Sequence, residues 1–266
     1  EEECAVISLA GVDDVNDAVS AATKAFETWA FSTKEERLKY LESLYDIYKR
    51  RWADMAKAIS LEMGAPIDFS TQLQAGTGAS HIKSYIKVLK EYTFEAKLGE
   101  HAPNNNILRE PKGVCALITP WNWPINQITL KVIPALAAGS TCVLKPSEHT
   151  PLSATLYAEM LHDAGFPKGA FNLLHGDGPT VGSAMSRHPD IQMMSFTGST
   201  RAGTSVTKDS ADTVKRVTLE LGGKSPNLIF ADCDLEERVS GSVSECFFNS
   251  GQSCDAPTRL LVEKSC

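Results

Sequence analysis

No apolar run in these 266 residues approaches the ~18 needed to cross a bilayer, which excludes a membrane-spanning helix from this sequence. An excess of positive charge is missing too. The 26 Lys and Arg are outnumbered by 33 Asp and Glu, for a net charge of −7. That balance argues against nucleic acid or an anionic membrane surface as a partner, while leaving room for a local basic pocket around a phosphorylated cofactor. No Cys-x-x-Cys pair occurs among the seven cysteines, and no histidine falls at metal-ligand spacing, so no metal is expected. An odd number of widely scattered cysteines reads as reduced, mostly inert thiols in a cytoplasmic setting. The opening Glu1-Glu2-Glu3 has the wrong charge for a signal or transit peptide, although a processed start would look the same.

Several common signatures are absent as well. Gly222-Gly223-Lys224-Ser225 ends like a phosphate-binding P-loop, but position 218 is Thr218 where that motif needs glycine. No Gly-x-Ser-x-Gly nucleophile elbow is found. The run from Gly176 through Gly178 to Gly182 is one residue too long for the usual dinucleotide fingerprint. Internal repeats and low-complexity tracts are missing too.

What remains has an ordinary globular composition, 42% apolar and 22% charged, with length for one large domain or one domain plus part of another. The first hundred residues read as helical. Ala18, Val19, Ala22, Phe26 and Trp29 recur at helical spacing. Thr33 and Glu36 form a capping box before a second stretch that runs to Gly64-Ala65-Pro66. A third stretch is expected over 69–94, and 103–111 reads as a turn or hairpin tip. Short apolar runs then alternate with helical stretches. Strands are expected at 114–119, 141–145, 171–175, 193–197 and 215–219, with helices at 124–138, 151–164, 180–187 and 201–209. A sixth strand at 227–231 and a helix over 234–249 follow. Such alternation means parallel strands with covering helices, and ligand loops at the strands' carboxyl ends.

Four segments in order carry a more specific signal: Pro120-Trp121-Asn122-Trp123-Pro124, Leu144-Lys145-Pro146-Ser147-Glu148, Phe196-Thr197-Gly198-Ser199-Thr200 and Leu219-Glu220-Leu221-Gly222-Gly223-Lys224. A fifth, Gly251-Gln252-Ser253-Cys254, comes about thirty residues later. In order and spacing they resemble the NAD(P)+-dependent aldehyde dehydrogenase superfamily, over essentially the whole chain. The resemblance implies an α/β fold, with a Rossmann-like parallel sheet, flanking helices and only the start of a second, catalytic domain. It places the NAD(P)-binding domain at 1–222, with a hairpin excursion near 97–112, and a truncated catalytic part at 223–266.

The resemblance implies a role for each of these residues. Cys254 becomes the nucleophile, because a thiolate adds to an aldehyde carbonyl to give a thiohemiacetal and, after loss of hydride, a thioester. Most lone cysteines are inert small hydrophobes, but this one sits in a Gly/Ser/Gln-rich loop. Asp255 beside it would oppose the thiolate if it pointed inward, so it is expected to point away. Asn122, which could simply make an Asx turn, is read as an oxyanion-hole donor alongside the Cys254 N–H. Trp121 and Trp123 are read as apolar walls, unless one is plain core packing. Glu220, otherwise a strand-end carboxylate in a salt bridge, is read as the general base, and partial desolvation would suit it to neutral pH.

Lys145 and Glu148 are a surface pair in the bland reading and address the adenosine ribose in the family reading. Glu148 favours NAD+, whereas Lys145 and Ser147 could take a 2′-phosphate, so NAD or NADP stays open with a lean to NAD. Phe196, Thr197, Gly198 and Ser199 would hold the pyrophosphate at a helix N-terminus, where Ser199 also caps. Gly178 and Gly182 would lie near the adenine. Ile118, Thr119, Pro120 and Trp121 would line the cleft, joined by Leu221 and Gly222. Trp123, Gln127 and Phe248 would shape part of the aldehyde pocket.

The expected activity is oxidation of an aldehyde to a carboxylic acid, in a homo-oligomer (dimer or tetramer) for the full-length form. The resemblance covers only the first half of such proteins, so this chain alone is expected to show little turnover. Alternatives are a truncated cofactor-binding remnant, an acylating aldehyde dehydrogenase and a cysteine hydrolase.

Overall fold

The computed structural model describes residue 3 and residues 5–266; Glu1 and Glu2 of the acidic start lie outside them. The helical first third comprises α1 (Val12–Trp29), α2 (Lys34–Arg50), α3 (Trp52–Met63), α4 (Ile67–Phe69) and α5 (Ala75–Glu91). The Thr33/Glu36 capping box forms in both directions, with Glu36 N–H donating to Thr33 Oγ1 at 3.1 Å and Thr33 N–H to Glu36 Oε2 at 2.7 Å. The single second helix expected from periodicity is instead two, broken where Arg51 leaves helical geometry (φ −100°, ψ 19°). A polar bend costs the periodic pattern nothing, because the apolar stripe resumes in α3. Gly64 ends α3 in the left-handed conformation, the role its place in the sequence suggested. Between α4 and α5 the helix widens into a π-helical turn, Ser70–Gln74. An antiparallel hairpin of β1 (Glu95–Lys97) and β2 (Asn106–Leu108) follows. Its tip lies before residue 106, earlier than the expected 103–111.

The alternating region yields β3 (Val114–Ile118), α6 (Pro124–Ala137), β4 (Thr141–Lys145), α7 (Pro151–Asp163), β5 (Phe171–Leu173), α8 (Ser183–Arg187), β6 (Met193–Gly198), α9 (Thr200–Ser210) and β7 (Arg216–Leu221). A second π-helical turn, Gly178–Gly182, replaces the first turn of the expected 180–187 helix. The strands form one parallel sheet in the order β5-β4-β3-β6-β7. The chain therefore builds outward from β3 through β4 to β5, then returns to add β6 and β7 on the other side. That reversal opens a crevice at the carboxyl ends of β3 and β6. Strands β3 and β4 are buried along their whole length, as a sheet covered on both faces must be.

Two cores sandwich the sheet. Alternate residues Cys115, Leu117, Cys142 and Leu144 point to the helices α2, α3, α5, α6 and α7. Their neighbours Val114, Ala116, Ile118, Val143 and Phe196 face α1, α8 and α9. Beyond the sheet come β8 (Pro226–Ile229), α10 (Leu235–Phe247) and β9 (Arg259–Val262), with β8 and β9 pairing in a separate parallel ribbon. Strand β9 carried no turn or periodicity signal strong enough to be expected.

Gly169 shows how closely the layers meet. It has φ +85°, and a Cβ there would run into the backbone carbonyl of Ala21 in α1. Both the strain and the collision have no soft side chain to absorb them. Gly169→Ala is expected to cost roughly 2–4 kcal/mol, read as a lowered denaturant midpoint with an unchanged slope.

Candidate active site

The loop after α10 is held against the start of α6 by side chains more than a hundred residues apart in sequence. Asn249 is buried and adopts a left-handed backbone (φ 51°, ψ 39°), which Asn tolerates better than most residues. Its Nδ2 donates to the Asn122 carbonyl at 2.9 Å, and its Oδ1 accepts from Gln74 Nε2 at 3.0 Å. Gln74 comes from the π-helical turn, and the same Nε2 lies 3.2 Å from the Asn122 carbonyl. Asn122 Nδ2 donates to the Gln252 carbonyl, and Trp123 Nε1 donates to Ser253 Oγ at 3.0 Å. The partners Asn249, Gln252 and Ser253 all lie within a few residues of Cys254.

Cys254 and Glu220 line the same cavity, of about 570 Å³, together with Thr197, Lys131 and Gln127. Cys254 is exposed, as a thiol that meets a small molecule must be. Asp255 is exposed too and is not part of the cavity wall, in keeping with the expectation that it points away. Glu220 sits on β7 in register with Thr197 of β6. It is exposed rather than partly desolvated, a departure from the sequence reading; at this sheet edge no described element packs over it. The Gly222-Gly223 turn that follows passes close to the thiol loop, since a Cβ on Gly223 would lie 3.5 Å from the Cys254 carbonyl oxygen.

Asn122 is drawn to this region without lining the cavity. Its amide fastens the Gln252 backbone, and a carboxamide carries a second N–H for a further acceptor. Trp123 packs against Phe69 and Phe248, with ring centroids 5.8 and 5.9 Å apart. Trp121, by contrast, is 40% exposed.

On the opposite face of the sheet, a second cavity of about 500 Å³ is lined by Ile118, Lys145, Gly178, Gly182 and Phe196. Lys145 is buried and donates to the carbonyls of Pro146 and Gly176, at 2.9 and 2.7 Å. Burial lowers its pKa, opposed by Glu148, whose carboxylate lies 3.5 Å away at the exposed rim. Ser147 is buried beside them. Between the two cavities run the strand ends, where Thr119 and Thr197 each bury an Oγ1 with no partner. Pro120 continues from Thr119, and Leu221 ends β7. Ser199 caps α9, its Oγ accepting from Ala202 N–H at 3.2 Å. A Cβ on Gly178 or Gly222 would meet nothing, so the backbone is open to close approach there. Unpartnered hydroxyls, a capped helix N-terminus and open glycine backbone fit an extended dinucleotide lying from one cavity to the other. Among the described residues, no cluster of three His, Cys, Asp or Glu side chains could hold a metal ion. No described helix is long and apolar enough to cross a membrane.

Sequence reasoning missed three residues here. Gln74 and Asn249 gave no local signal, because their meaning lies in a contact between distant segments. Lys131 did leave a trace, as the only charge in α6. Its Nζ donates to Ser195 Oγ at 2.7 Å, and burial pushes its pKa down to about 8 although Glu220 pulls it up.

Two outcomes are expected from this geometry. Asn249→Ala leaves Gln74 and the Asn122 carbonyl without their shared partner, and should cost roughly 1–3 kcal/mol, with faster amide exchange over 249–254. For Lys131, the unfolded chain binds the extra proton between pH about 8 and the ordinary 10.5, so stability rises with pH across that window. Lys131→Met should flatten that rise, leaving the parts due to Lys145, whose pKa burial also lowers, and Lys215, whose pKa burial lowers to about 8. It should also gain about 1–3 kcal/mol at neutral pH, as read by denaturation at several pH values.

Comparison with known proteins places this arrangement. Residues 1–266 match the aldehyde dehydrogenase family. The chain is 49% identical, over 266 residues, to 3-succinoylsemialdehyde-pyridine dehydrogenase from a Pseudomonas species, covering all of this chain and 55% of that protein. An aldehyde dehydrogenase crystal structure from Bartonella henselae superposes with a TM-score of 0.96 at 55% identity, covering all of this chain and 56% of the other. Aldehyde dehydrogenase C from Pseudomonas syringae, crystallised as a mutant with NAD+ and octanal, gives a TM-score of 0.97 at 49% identity over 54% of its length. The chain thus spans about half the length of the relatives it matches. With the α/β sheet, the two cavities and these likenesses in hand, the chain belongs to the aldehyde dehydrogenase family.

Proposed function

We propose that this chain supplies the cofactor site and the thiol of an enzyme that oxidises an aldehyde to a carboxylic acid with NAD+ or NADP+. The observation that carries the reading is the sharing by Cys254 and Glu220 of one cavity that runs along a face of the parallel sheet. In this reading 1–222 is the NAD(P)-binding domain and 223–266 begins the catalytic domain, in keeping with a main sheet that ends at Leu221 and a separate β8-β9 ribbon. The full activity belongs to a protein in which the rest of the relatives' length is also represented, most simply a cytoplasmic homo-oligomer.

The Cys254 thiolate adds to the aldehyde carbonyl, forming a C–S bond and an alkoxide. The Cys254 N–H and the second Asn122 N–H donate to that oxygen, and removing one such donor typically costs ~10²–10³ in rate. The bound NAD(P)+ supplies the hydride acceptor. Glu220 takes a proton from the water that opens the Cys254 thioester, releasing the acid and restoring the thiol. Ile118, Gly178, Gly182 and Phe196 hold the adenosine end; Thr119, Pro120, Thr197, Gly198 and Ser199 hold the diphosphate; Trp121, Leu221 and Gly222 border the nicotinamide end. Lys145, Ser147 and Glu148 address the ribose. The exposed Glu148 carboxylate beside Lys145 supports NAD+, since an added 2′-phosphate would meet that negative charge. A carboxylate facing the thiol cavity supports water as the acyl acceptor over coenzyme A.

Absorbance of NADH growing with an added aldehyde tests the reading in the full-length protein. Cys254→Ala should abolish turnover while leaving NAD+ binding within about threefold, a change under 1 kcal/mol. Glu220→Gln should slow steady-state turnover by ~10²–10⁴ yet preserve a first burst of NADH, because only thioester opening is impaired. NAD+ binding without any turnover in the full-length parent would select the cofactor-binding remnant, and ester hydrolysis independent of cofactor would select the hydrolase.

A further inference from the structure

The loop that follows Lys145 and carries Ser147 and Glu148 runs directly into α7, and the start of that helix is secured in an unusual way. Pro151 opens α7 and has no N–H to satisfy. Thr150, in the capping position, makes no cap bond, and its buried Oγ1 has no partner. The next two donors are taken by a residue ninety positions earlier. Glu62, at the end of α3, accepts from Leu152 N–H at 2.6 Å and from Ser153 N–H at 3.2 Å through Oε2, and lies 3.3 Å from Ser153 N–H through Oε1. A carboxylate there also meets the positive end of the α7 dipole.

The loop itself is a short turn braced from its α7 side. Thr150 N–H donates to the Ser147 carbonyl at 3.1 Å, and His149 N–H lies 3.3 Å from Ser147 Oγ. Ser147 is buried, and Glu148 reaches back to Lys145. The turn is thus fixed at one end by β4 and at the other by wherever α7 begins. Helices α3 and α7 run antiparallel and are tied at their far ends by Arg51 and Glu159, 2.9 Å apart, in an exposed pair. Of the two ties, the Glu62 tie is next to the cofactor loop.

We propose that Glu62 is a positioning residue for the adenosine-ribose site: by capping α7 from α3, it holds the 146–150 turn in the geometry that Ser147 and Glu148 need to meet the ribose. This rests on the cofactor site proposed above. Glu62 touches no cofactor; it acts through the α7 backbone. Burial raises its pKa to about 7 against the lowering effect of its hydrogen bonds, the mark of a carboxylate kept in a costly place by the donors it serves. A merely structural role would lower stability alone, whereas positioning also loosens the loop and the cofactor.

The test uses the full-length protein as parent, with Glu62→Ala, Glu62→Gln and Arg51→Ala. NAD+ affinity is measured by calorimetry, and amide exchange over 146–153 without cofactor. The KM for NAD+ and kcat are measured where turnover allows. Glu62→Ala should raise the Kd for NAD+ about tenfold, as expected if the loop is ordered a tenth of the time. Exchange over 146–153 should quicken, and KM for NAD+ should rise with kcat within about twofold. Glu62→Gln keeps an acceptor and should recover most of the affinity. Arg51→Ala breaks the far tie and should leave both Kd and loop exchange unchanged. Loss of thermal stability in Glu62→Ala with parental NAD+ affinity and loop exchange would overturn the proposal, as would equal effects from Arg51→Ala. A parent that binds no NAD+ would instead overturn the proposed function, and the exchange comparison tells that failure apart.

Discussion

Asn249 joins three segments that have no reason in sequence to meet. It donates to the backbone that enters α6 and accepts from the π-helical turn before α5. Around it, Asn122 and Trp123 bind the backbone and side chain of the residues just before Cys254. The position of the thiol relative to Glu220 depends on this knot, because no described residue of α10 is buried. Polar groups at such a junction define one geometry when every partner is present and penalise all others. The aromatic trio of Phe69, Trp123 and Phe248 adds packing on the same side.

Pleat alternation explains how one sheet lines two cavities. On β6, Ser195 and Thr197 face the thiol cavity, while Phe196 between them floors the other. The same holds on β3, where Leu117 and Ile118 belong to opposite cavities. A ligand that engages both must pass over the strand ends, where the chain reverses its direction of building. The two cavities are therefore separated by a single layer of backbone. A rigid central sheet sets their distance, and loops supply the side chains.

Much of this was readable beforehand where the signal is local. The Thr33/Glu36 box, the Gly64 stop and the five strands of the main sheet follow from spacing alone, within a residue or two at their ends. The segments that hold Cys254, Glu220, Lys145, Ser147 and Glu148 stood out as motifs, and the fold brings Cys254 and Glu220 to one cavity. What stayed hidden depends on contacts across the chain. Gln74 looks like any helical glutamine, and Glu62 like any surface acid, until the fold brings Asn249 or α7 beside them. The break at Arg51 was invisible because an amphipathic stripe continues across it. The exposure of Glu220 could not be foreseen from its apolar flanks, since those neighbours face other directions along the strand.

The π-helical turn at Ser70–Gln74 has a consequence for how such a sequence can drift. It holds one more residue per turn than the helix it interrupts, and this brings Gln74 round toward Asn249. Dropping a single position there would turn every later side chain of α5 by about 100°, taking its buried stripe away from α2 and α6. Residue types in that stretch can vary, but its length cannot, so relatives are expected to align through it without gaps.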